Sequence, residues 1–299
     1  MPNRAPRHLV VATDFSPAAD NALARAGALA QKLGARLSLL HVIEPLPVAS
    51  AWGDPGAGAW LGLEALIAAG EAELRRQLER HAGSAAAAAV PICRMGLPRR
   101  DLGRLARELE ADLLVLGARS ERRLGDRLLG STAQASVHHA GLPVLVLRRP
   151  AGAPWSRVLA ASDGSAAAHA AIGLAEALAE GSEARLLRVH PPLPEATLSL
   201  MQAAQAQLDA LELRNEREAA ALAEAEAKAY PAWQGEFRRG EVIGTVLGEI
   251  EQRAIDLVAL GTRGHGPWIG GLLGSLGQAV LARATCDVLL APDPATPGA

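Results

Sequence analysis

The chain has 299 residues and a formal net charge of −2, with 30 Lys and Arg residues against 32 Asp and Glu residues. Its arginines are interspersed with acidic residues, and aromatic residues make up only 3% of the chain. We therefore expect no binding to nucleic acid or to a membrane surface. The length predicts two domains, and small molecules or proteins are the expected partners.

The N-terminal sequence shows neither a signal peptide nor an apolar run long enough to span a membrane, which predicts a cytoplasmic protein. The two cysteines, Cys93 and Cys286, lie far apart and match no metal-binding spacing. We expect both to be buried and to behave as small hydrophobic residues.

The first half of the chain alternates two kinds of segment. Short runs rich in Leu and Val are followed by Ala-rich stretches in which apolar residues recur at helical spacing. This alternation predicts βαβ units and a parallel sheet with helices on both faces. An amphipathic helix is expected over 63–81, whereas residues 45–60 are too rich in Pro and Gly for a helix and predict a connecting loop, with a lid as the alternative. The strands are expected near residues 7–13, 35–42, 87–94, 112–116 and 143–147.

The second half repeats the first. RHLVVATDFS aligns with SRVLAASDGS at a constant offset that also places His41 on His190. Pro and Gly residues near 148–155 interrupt both periodicities, so we expect one domain over 1–150 and another over 151–299. The second set of strands is expected near 157–162, 184–190, 233–239, 256–260 and 287–291, with an amphipathic helix over 198–230.

The repeat predicts two five-stranded doubly wound domains. With the strand order 3-2-1-4-5, the order reverses between strands 1 and 4, and ligands of open parallel sheets bind beyond the carboxyl ends at such a point. In the second half strand 1 ends at Asp163 and strand 4 at Gly261, so we expect both to face one crevice. An Asp there accepts hydrogen bonds from a ribose hydroxyl or a base N–H. The alternative is that Asp163 caps the helix that begins at Ala166.

The segment LGTRGHGPWIGGLLGS, which includes the end of strand 4 of the second half, is rich in glycine. Glycines between a strand and a helix let backbone N–H groups approach a phosphate. This loop lacks the lysine of a P-loop and the third glycine of the dinucleotide fingerprint. The alternative explanation of GGLLGS is a close contact between helix and sheet.

Gly261, Gly264, Gly274 and Ser275 have the spacing G-x2-G-x9-G-S, which resembles the nucleotide-binding signature of the universal stress protein family. Asp163, followed by Gly and Ser, also resembles that family, and the resemblance covers both halves. It implies two tandem flavodoxin-like domains that bind ATP or a related adenine nucleotide. It further implies a stress-response or regulatory role, with Mg²⁺ only as a companion of the nucleotide.

The resemblance assigns the second half a nucleotide site at one edge of the sheet. His265 lies within the glycine-rich loop and adds positive charge near the phosphates unless its side chain faces solvent. The other residues implied are Asp163 for the adenosine part, Ala161, Pro191 and Leu260 for the base pocket, and Gly261, Gly264, Gly274, Ser275 and Leu276 for the ribose and phosphates.

The first half departs from this pattern. Asp14 is followed by Phe15 rather than Gly, and Ser120 stands where the motif has its second glycine. If that position needs a positive φ, Ser adds about 1 kcal/mol of steric cost. We therefore expect a degenerate first site. Its residues are Asp14, Val42, Gly117, Ser120, Gly130 and Ser131.

The sequence holds no nucleophile elbow, zinc-protease motif or pair of carboxylates that would indicate catalysis, and the protein alone offers no metal site. A nucleotide-binding regulatory module is therefore the first hypothesis. Two alternatives stay open, a slow ATPase that uses the same site and an interaction protein with vestigial pockets. The sequence does not identify a protein partner.

The closing strands of the two halves, at 143–147 and 287–291, are short and apolar and lie at one end of each predicted sheet. An unpaired strand of this kind exposes an edge that is prone to association. Single-domain members of the family that the chain resembles commonly dimerise through this strand. We therefore expect the two strands to pair in an internal pseudo-dimer, and a further homodimer of the whole chain is left open.

Overall fold

The computed structural model describes residues 5–45, 56–118, 131–192, 205–262 and 273–295. The chain folds into two compact units, one built mainly on Arg4–Ala153 and the other mainly on Pro154–Ile269 with Leu273–Ala295. Both units are built from strands that alternate with helices along the chain.

The first unit is a doubly wound α/β domain. In chain order its elements are β1 (His8–Ala12), α1 (Pro17–Leu33), β2 (Arg36–Ile43), α2 (Gly56–His81), a 3₁₀ helix (Gly83–Ala88), β3 (Val90–Met95), α3 (Pro98–Glu108), β4 (Leu113–Gly117), α4 (Ser131–His139) and β5 (Val144–Leu147). Its strands pair in parallel in the order β3-β2-β1-β4-β5. The predicted order 3-2-1-4-5 is confirmed.

The second unit has the same architecture. Its elements are β6 (Arg157–Ala161), α5 (Ala166–Leu178), β7 (Glu183–His190), α6 (Gln205–Ala229), β8 (Trp233–Arg239), α7 (Val242–Gln252), β9 (Leu257–Gly261), α8 (Ser275–Arg283) and β10 (Asp287–Ala291). The strands again pair in parallel, in the order β8-β7-β6-β9-β10. The chain is therefore a tandem of flavodoxin-like doubly wound domains, as expected.

The strands supply the centre of each core. Every residue of β1 and of β10 is buried, as expected for parallel strands covered by helices on both faces. In the first unit α1 contacts α2, and α3 contacts α4, so the helices pack in pairs against the sheet. None of the helices in the described ranges is long and apolar enough to cross a membrane.

The register between the first and second strands differs between the two units. Ala12 of β1 pairs with Leu40, whereas the corresponding Ala161 of β6 pairs with Leu187. The same shift appears where each strand ends, because the backbone N–H after β1 donates to Leu40 and the one after β6 donates to Leu187. The chain between Ala161 and its partner Leu187 is therefore two residues shorter than the chain between Ala12 and its partner Leu40.

This shift corrects the alignment of the two halves. The expectation that His41 aligns with His190 is wrong by two residues, and the structural counterpart of His41 is Arg188. Side chains of a strand alternate with a period of two. A slip of two residues therefore keeps the apolar pattern on the same face, and the sequence pattern fits both registers.

Helix α2 begins earlier than the composition indicates. The expectation that residues 45–60 are too rich in Pro and Gly for a helix is wrong for their last part, since α2 begins at Gly56; residues 46–55 lie outside the described residues. Each helical glycine costs about 1 kcal/mol relative to Ala, and a helix of 26 residues absorbs that cost. The helix expected over 198–230 is α6, and residues 193–204 also lie outside the described part.

Candidate functional site

The ends of β6 and β9 lie side by side at the point where the strand order of the second unit reverses. Ala161, the last residue of β6, pairs with Leu260 of β9. Asp163 lies two residues beyond the end of β6, and Gly261 is the last residue of the neighbouring β9. Both residues therefore lie at the same edge of the sheet. Asp163 is exposed, whereas Leu260 is only 1% exposed and belongs to the core.

The turn from β6 to α5 presents Asp163. Its Oδ1 accepts a hydrogen bond from the backbone N–H of Ser165 at 2.9 Å. Gly164 lies between them with a φ of 81°, a left-handed conformation that favours glycine. Ser165 is the N-cap of α5, and its Oγ accepts from the N–H of Ala168 at 3.2 Å. The alternative in which Asp163 caps this helix is therefore wrong, because Asp163 shapes the turn and Ser165 caps the helix.

The first unit builds the same turn with a bulky residue in it. Asp14 Oδ1 accepts from the N–H of Ser16 at 3.1 Å, and Ser16 caps α1 through a bond from Ala19 N. Phe15 has a φ of 60°, a conformation that costs a side-chain-bearing residue about 1 kcal/mol. Its ring lies 4.5 Å from the ring of His41, centroid to centroid. The first half thus has an aromatic ring where the second half has a bare glycine.

The first glycine of the motif contacts a helix in both halves. A Cβ atom added to Gly261 would lie 2.8 Å from the backbone N of Ala168, and one added to Gly117 would lie 2.5 Å from the carbonyl oxygen of Ala18. Both distances are shorter than real Cβ contacts, so α5 and α1 need glycine at these strand ends. From the family resemblance Gly261 was assigned to the phosphates, and the structure gives it a packing role that needs no ligand. The sequence signal of this role is Gly117, since the first motif keeps this glycine although Ser120 replaces its second one.

The third glycine and the Ser of the motif open α8. Gly274 N donates to the carbonyl oxygen of Thr262 at 2.9 Å, which brings the start of α8 back to the end of β9. Gly274 is the N-cap, and within the described residues no side chain caps this helix. By contrast, α5 is capped by Ser165 and α7 by Glu241. The first N–H groups of α8, from Ser275 on, thus form the positive end of a helix dipole at the carboxyl edge.

The base-pocket residues are affected by the register shift. Val42 of the first unit, 5% exposed, corresponds in the structure to Val189 rather than to Pro191. Pro191 follows β7 and lines a small cleft of about 40 Å³ together with His190, Pro192 and residues of α6 and β8. In this register Val189, and not Pro191, is the counterpart of the predicted site residue Val42.

The remaining predicted site residues are described to different extents. Leu276, in the first turn of α8, is half-buried. Ser131 is the first residue of α4, although its side chain is not among those described. The residues that lie outside the described part of the chain are Ser120, Gly130, Gly264 and His265.

A buried carboxylate lies beneath the turn that presents Asp163. Glu226 on α6 has a side chain that is only 5% exposed. It accepts a hydrogen bond from Ser162 Oγ, and its Oε1 lies 2.9 Å from Nε2 of His169. From the sequence, the charges of this helix are expected on a solvated face, so Glu226 was missed. The signal that could have found it is Gln77, the polar residue at the matching place in the first half.

Tyr230, the single tyrosine of the chain, reports on this carboxylate. Burial, and then the negative charges of Glu226 and Glu176, raise the pKa of its phenol above the ordinary value of about 10. A phenolate is an anion, so removal of a neighbouring anion favours its formation. We expect Glu226→Gln to lower the pKa of Tyr230 part of the way to the ordinary value, as measured by phenolate absorbance in an alkaline titration. Glu241→Gln is the distant control, and equal titration curves for all three proteins would contradict the expectation.

Within the described ranges no group of three or more His, Cys, Asp or Glu side chains is arranged to hold a metal ion. Cys93 and Cys286 are free and buried, as expected. Burial, together with the charge of Glu71, raises the pKa of the Cys93 thiol.

The fold and the site define the class of the protein. Both units are doubly wound α/β domains, and the second has an exposed Asp and a glycine-capped helix at the point of strand reversal. The chain is thus a tandem of flavodoxin-like domains, and ligands of such domains bind at the point of strand reversal. It belongs to the universal stress protein family, whose model matches residues 6–148 and again residues 154–292.

Relatives match one half of the chain or all of it. A universal stress protein of Thermus aquaticus is 35% identical, and the match covers 47% of this chain and 97% of that protein. A universal stress protein of Mycobacterium tuberculosis is 27% identical over 96% of this chain and 97% of its own length. The crystal structure of a universal stress protein from Archaeoglobus fulgidus has a TM-score of 0.64 at 18% identity and covers 96% of this chain and 98% of that one. This last likeness shows the fold.

Proposed function

We propose that the chain is an adenine-nucleotide-binding regulatory protein of the stress response, with ATP or a related adenine nucleotide bound at the carboxyl edge of the second unit. The observation that carries the proposal is the N-terminus of α8, where the cap residue Gly274 offers no side chain. Backbone N–H groups at such a helix end bind phosphate. A Cβ atom added to Gly274 would meet nothing closer than the carbonyl oxygen of Thr262 at 3.6 Å, so the described residues leave room for a ligand there.

The remaining groups at this edge suit a nucleoside. Asp163 is exposed beside the end of β9, and its carboxylate can accept hydrogen bonds from a ribose hydroxyl or a base N–H. Ala161 and Val189 supply apolar surface at the ends of β6 and β7. Mg²⁺ enters this proposal only with the nucleotide phosphates. The proposed site residues are Ala161, Asp163, Val189, Pro191, Leu260, Gly261, Gly264, His265, Gly274, Ser275 and Leu276.

The second unit is proposed as the main site because its turn is less encumbered. Gly164 itself adds no side chain next to Asp163, whereas Phe15 adds an aromatic ring at the same place in the first unit. Ser120 also replaces a motif glycine in the first unit. We therefore propose weaker binding, or none, in the first unit.

Ser275→Asp tests the proposed phosphate site. A carboxylate in the first turn of α8 favours the helix dipole, so the fold should keep its stability. The same charge repels phosphate, and we expect the ATP affinity measured by titration calorimetry to fall about tenfold or more, which is about 1.4 kcal/mol. Ser131→Asp, the equivalent change in the first unit, is the matched control and should leave the main binding event unchanged.

Two outcomes would contradict the proposal. Equal ATP affinity of Ser275→Asp and the unmodified protein would remove the N-terminus of α8 from the site. Failure of the unmodified protein to bind any adenine nucleotide would favour the interaction protein with vestigial pockets. Turnover of ATP in the presence of Mg²⁺ would add the slow ATPase activity to the binding function.

The assembly of the protein remains a prediction. We propose the internal pairing of the two closing strands, with a further homodimer and an unidentified protein partner left open. Sedimentation of each half expressed alone tests the pairing, since halves that stay monomeric at high concentration would contradict it. A cytoplasmic location also stays an expectation.

A further inference from the structure

Arg188 on β7 lies against the turn that presents Asp163. Its Nη2 donates a hydrogen bond to the carbonyl oxygen of Asp163 at 3.0 Å. Its Nη1 lies so near Gly164 that an added Cβ atom there would be 3.1 Å away. The Arg188 side chain is 15% exposed, and Nη1 is 3.5 Å from Oε2 of Glu226. The guanidinium therefore joins a buried carboxylate on α6 to the backbone of the turn.

Glu226 holds the same turn through a second path. It accepts a hydrogen bond from Ser162 Oγ, and that hydroxyl oxygen in turn accepts one from the N–H of Gly164 at 3.0 Å. His169, in the first turn of α5, contacts the same carboxylate oxygen as Ser162. Ser162 is thus tied directly to one carboxylate that is 5% exposed, Gly164 through Ser162, and Asp163 through Arg188.

The first unit keeps this scaffold but has neutral Gln77 and His41 in place of the Glu226–Arg188 pair. Thr13 Oγ1 donates to Oε1 of Gln77 at 3.0 Å and accepts from the N–H of Phe15 at 2.9 Å. Nε2 of Gln77 donates to Oδ1 of Asp20 at 2.7 Å. Asp20 holds the position that His169 has in the second unit. His41, the structural counterpart of Arg188, has its Nδ1 2.8 Å from the carbonyl oxygen of Thr13. Gln77 and His41 therefore occupy the places of Glu226 and Arg188.

The two units show which of these contacts the fold requires and which are particular to the turn of the second unit. The first unit folds around Gln77 and His41, so a charged pair at these places is not a requirement of the fold. A buried ion pair adds little stability over neutral side chains, because the cost of desolvation offsets the attraction between the charges. In return, two charges with several hydrogen bonds favour one geometry over its neighbours. The charged pair Arg188 and Glu226 lies under the turn of the second unit, which is the turn proposed to hold a ligand.

We propose that Arg188 and Glu226 form a positioning pair for the nucleoside end of the ligand. The pair fixes the carbonyl of Asp163 and the left-handed backbone of Gly164, and it thereby orients the Asp163 carboxylate. Neither residue needs to touch the ligand for this role. The inference rests on the proposed nucleotide site and identifies what prepares that site.

The double variant Arg188→His with Glu226→Gln tests the pair. It reproduces the residues of the first unit and leaves no buried charge unpaired, so we expect its thermal midpoint to stay close to that of the unmodified protein. In the full chain without nucleotide, hydrogen exchange of the backbone N–H groups of Gly164 and Ser165 should become faster. The ATP affinity measured by titration calorimetry should fall about tenfold, because the nucleoside contact is then less well oriented.

A control removes a more exposed Arg–Glu pair elsewhere in the second unit, in which the Arg238 side chain is 43% exposed. Arg238 on β8 and Glu249 on α7 are 3.3 Å apart, and Arg238→His with Glu249→Gln should change neither the exchange of the turn nor the ATP affinity. Two results would overturn the inference while leaving the nucleotide site intact: ATP affinity unchanged in the first double variant, or an equal loss in the control. Failure of the unmodified protein to bind ATP would overturn the site itself, and the inference with it.

Discussion

Gly261→Ala is expected to destabilise the second unit by about 3 kcal/mol, the upper part of the range for an overpacked core position. The added Cβ atom would lie 2.8 Å from the backbone N of Ala168 and 3.0 Å from the carbonyl carbon of Ala167. Both atoms belong to the first turn of α5, so the clash cannot be relieved by a change of side-chain rotamer. The helix must move away from the end of β9, and the strand-to-helix packing is lost there.

The repeat supplies a second test and a control. Gly117→Ala brings a Cβ atom to 2.5 Å from the carbonyl oxygen of Ala18, so we expect a loss at least as large in the first unit. Gly274→Ala is the control, since Gly274 has a φ of −60° and its nearest neighbour would be 3.6 Å away. Thermal denaturation followed by circular dichroism compares the variants. If Gly261→Ala were as stable as Gly274→Ala, packing would not explain the first glycine of the motif.

The strands could be predicted because their signal is local. Buried parallel strands appear in the sequence as short continuous apolar runs, and each expected strand is found within a few residues of its place. The largest displacement is at β3, which was expected from residue 87 and begins at Val90, after the 3₁₀ helix Gly83–Ala88. A run of alanines has no periodicity to separate these conformations.

The register of β7 could not be predicted, because the evidence for it is not local. Matching side chains in β2 and β7 favoured the alignment of His41 with His190, while the backbone pairing selects Arg188. Both registers bury the same alternate residues, so hydrophobic pattern does not distinguish them. This matters for the proposed site, since the register decides whether Val189 or Pro191 is the counterpart of Val42.

The packing role of Gly261 and the burial of Glu226 were hidden for a related reason. Gly261 follows the family motif, so a ligand role accounts for it before the approach of α5 is known. Glu226 lies in a helix with many charged residues, and only the tertiary contacts with Ser162 and Arg188 show that it is buried. Sequence comparison between the halves helps with both, because Gly117 is retained while Gln77 replaces the acid.

Asp256→Ala is expected to destabilise the second unit by about 3 kcal/mol, because two hydrogen bonds to a charged acceptor are lost at once. Asp256 is 4% exposed and lies just before β9. Its Oδ2 accepts from the N–H groups of Ser156 and Arg157, each at 2.9 Å. These are the residues that lead into β6, so one carboxylate oxygen joins the starts of two neighbouring strands. Thermal denaturation of the full chain measures the loss.

Two further variants separate the hydrogen bonds from the size of the side chain. Asp256→Asn keeps a carbonyl oxygen where both bonds meet, so we expect a loss of only about 1 kcal/mol. Asp112 makes the same pair of bonds in the first unit, to the N–H groups of Arg7 and His8 at 2.8 and 3.0 Å. Asp112 is exposed, so water can replace it, and Asp112→Ala should also cost only about 1 kcal/mol. Equal losses for Asp256→Ala and Asp112→Ala would show that burial does not set the cost of losing this carboxylate.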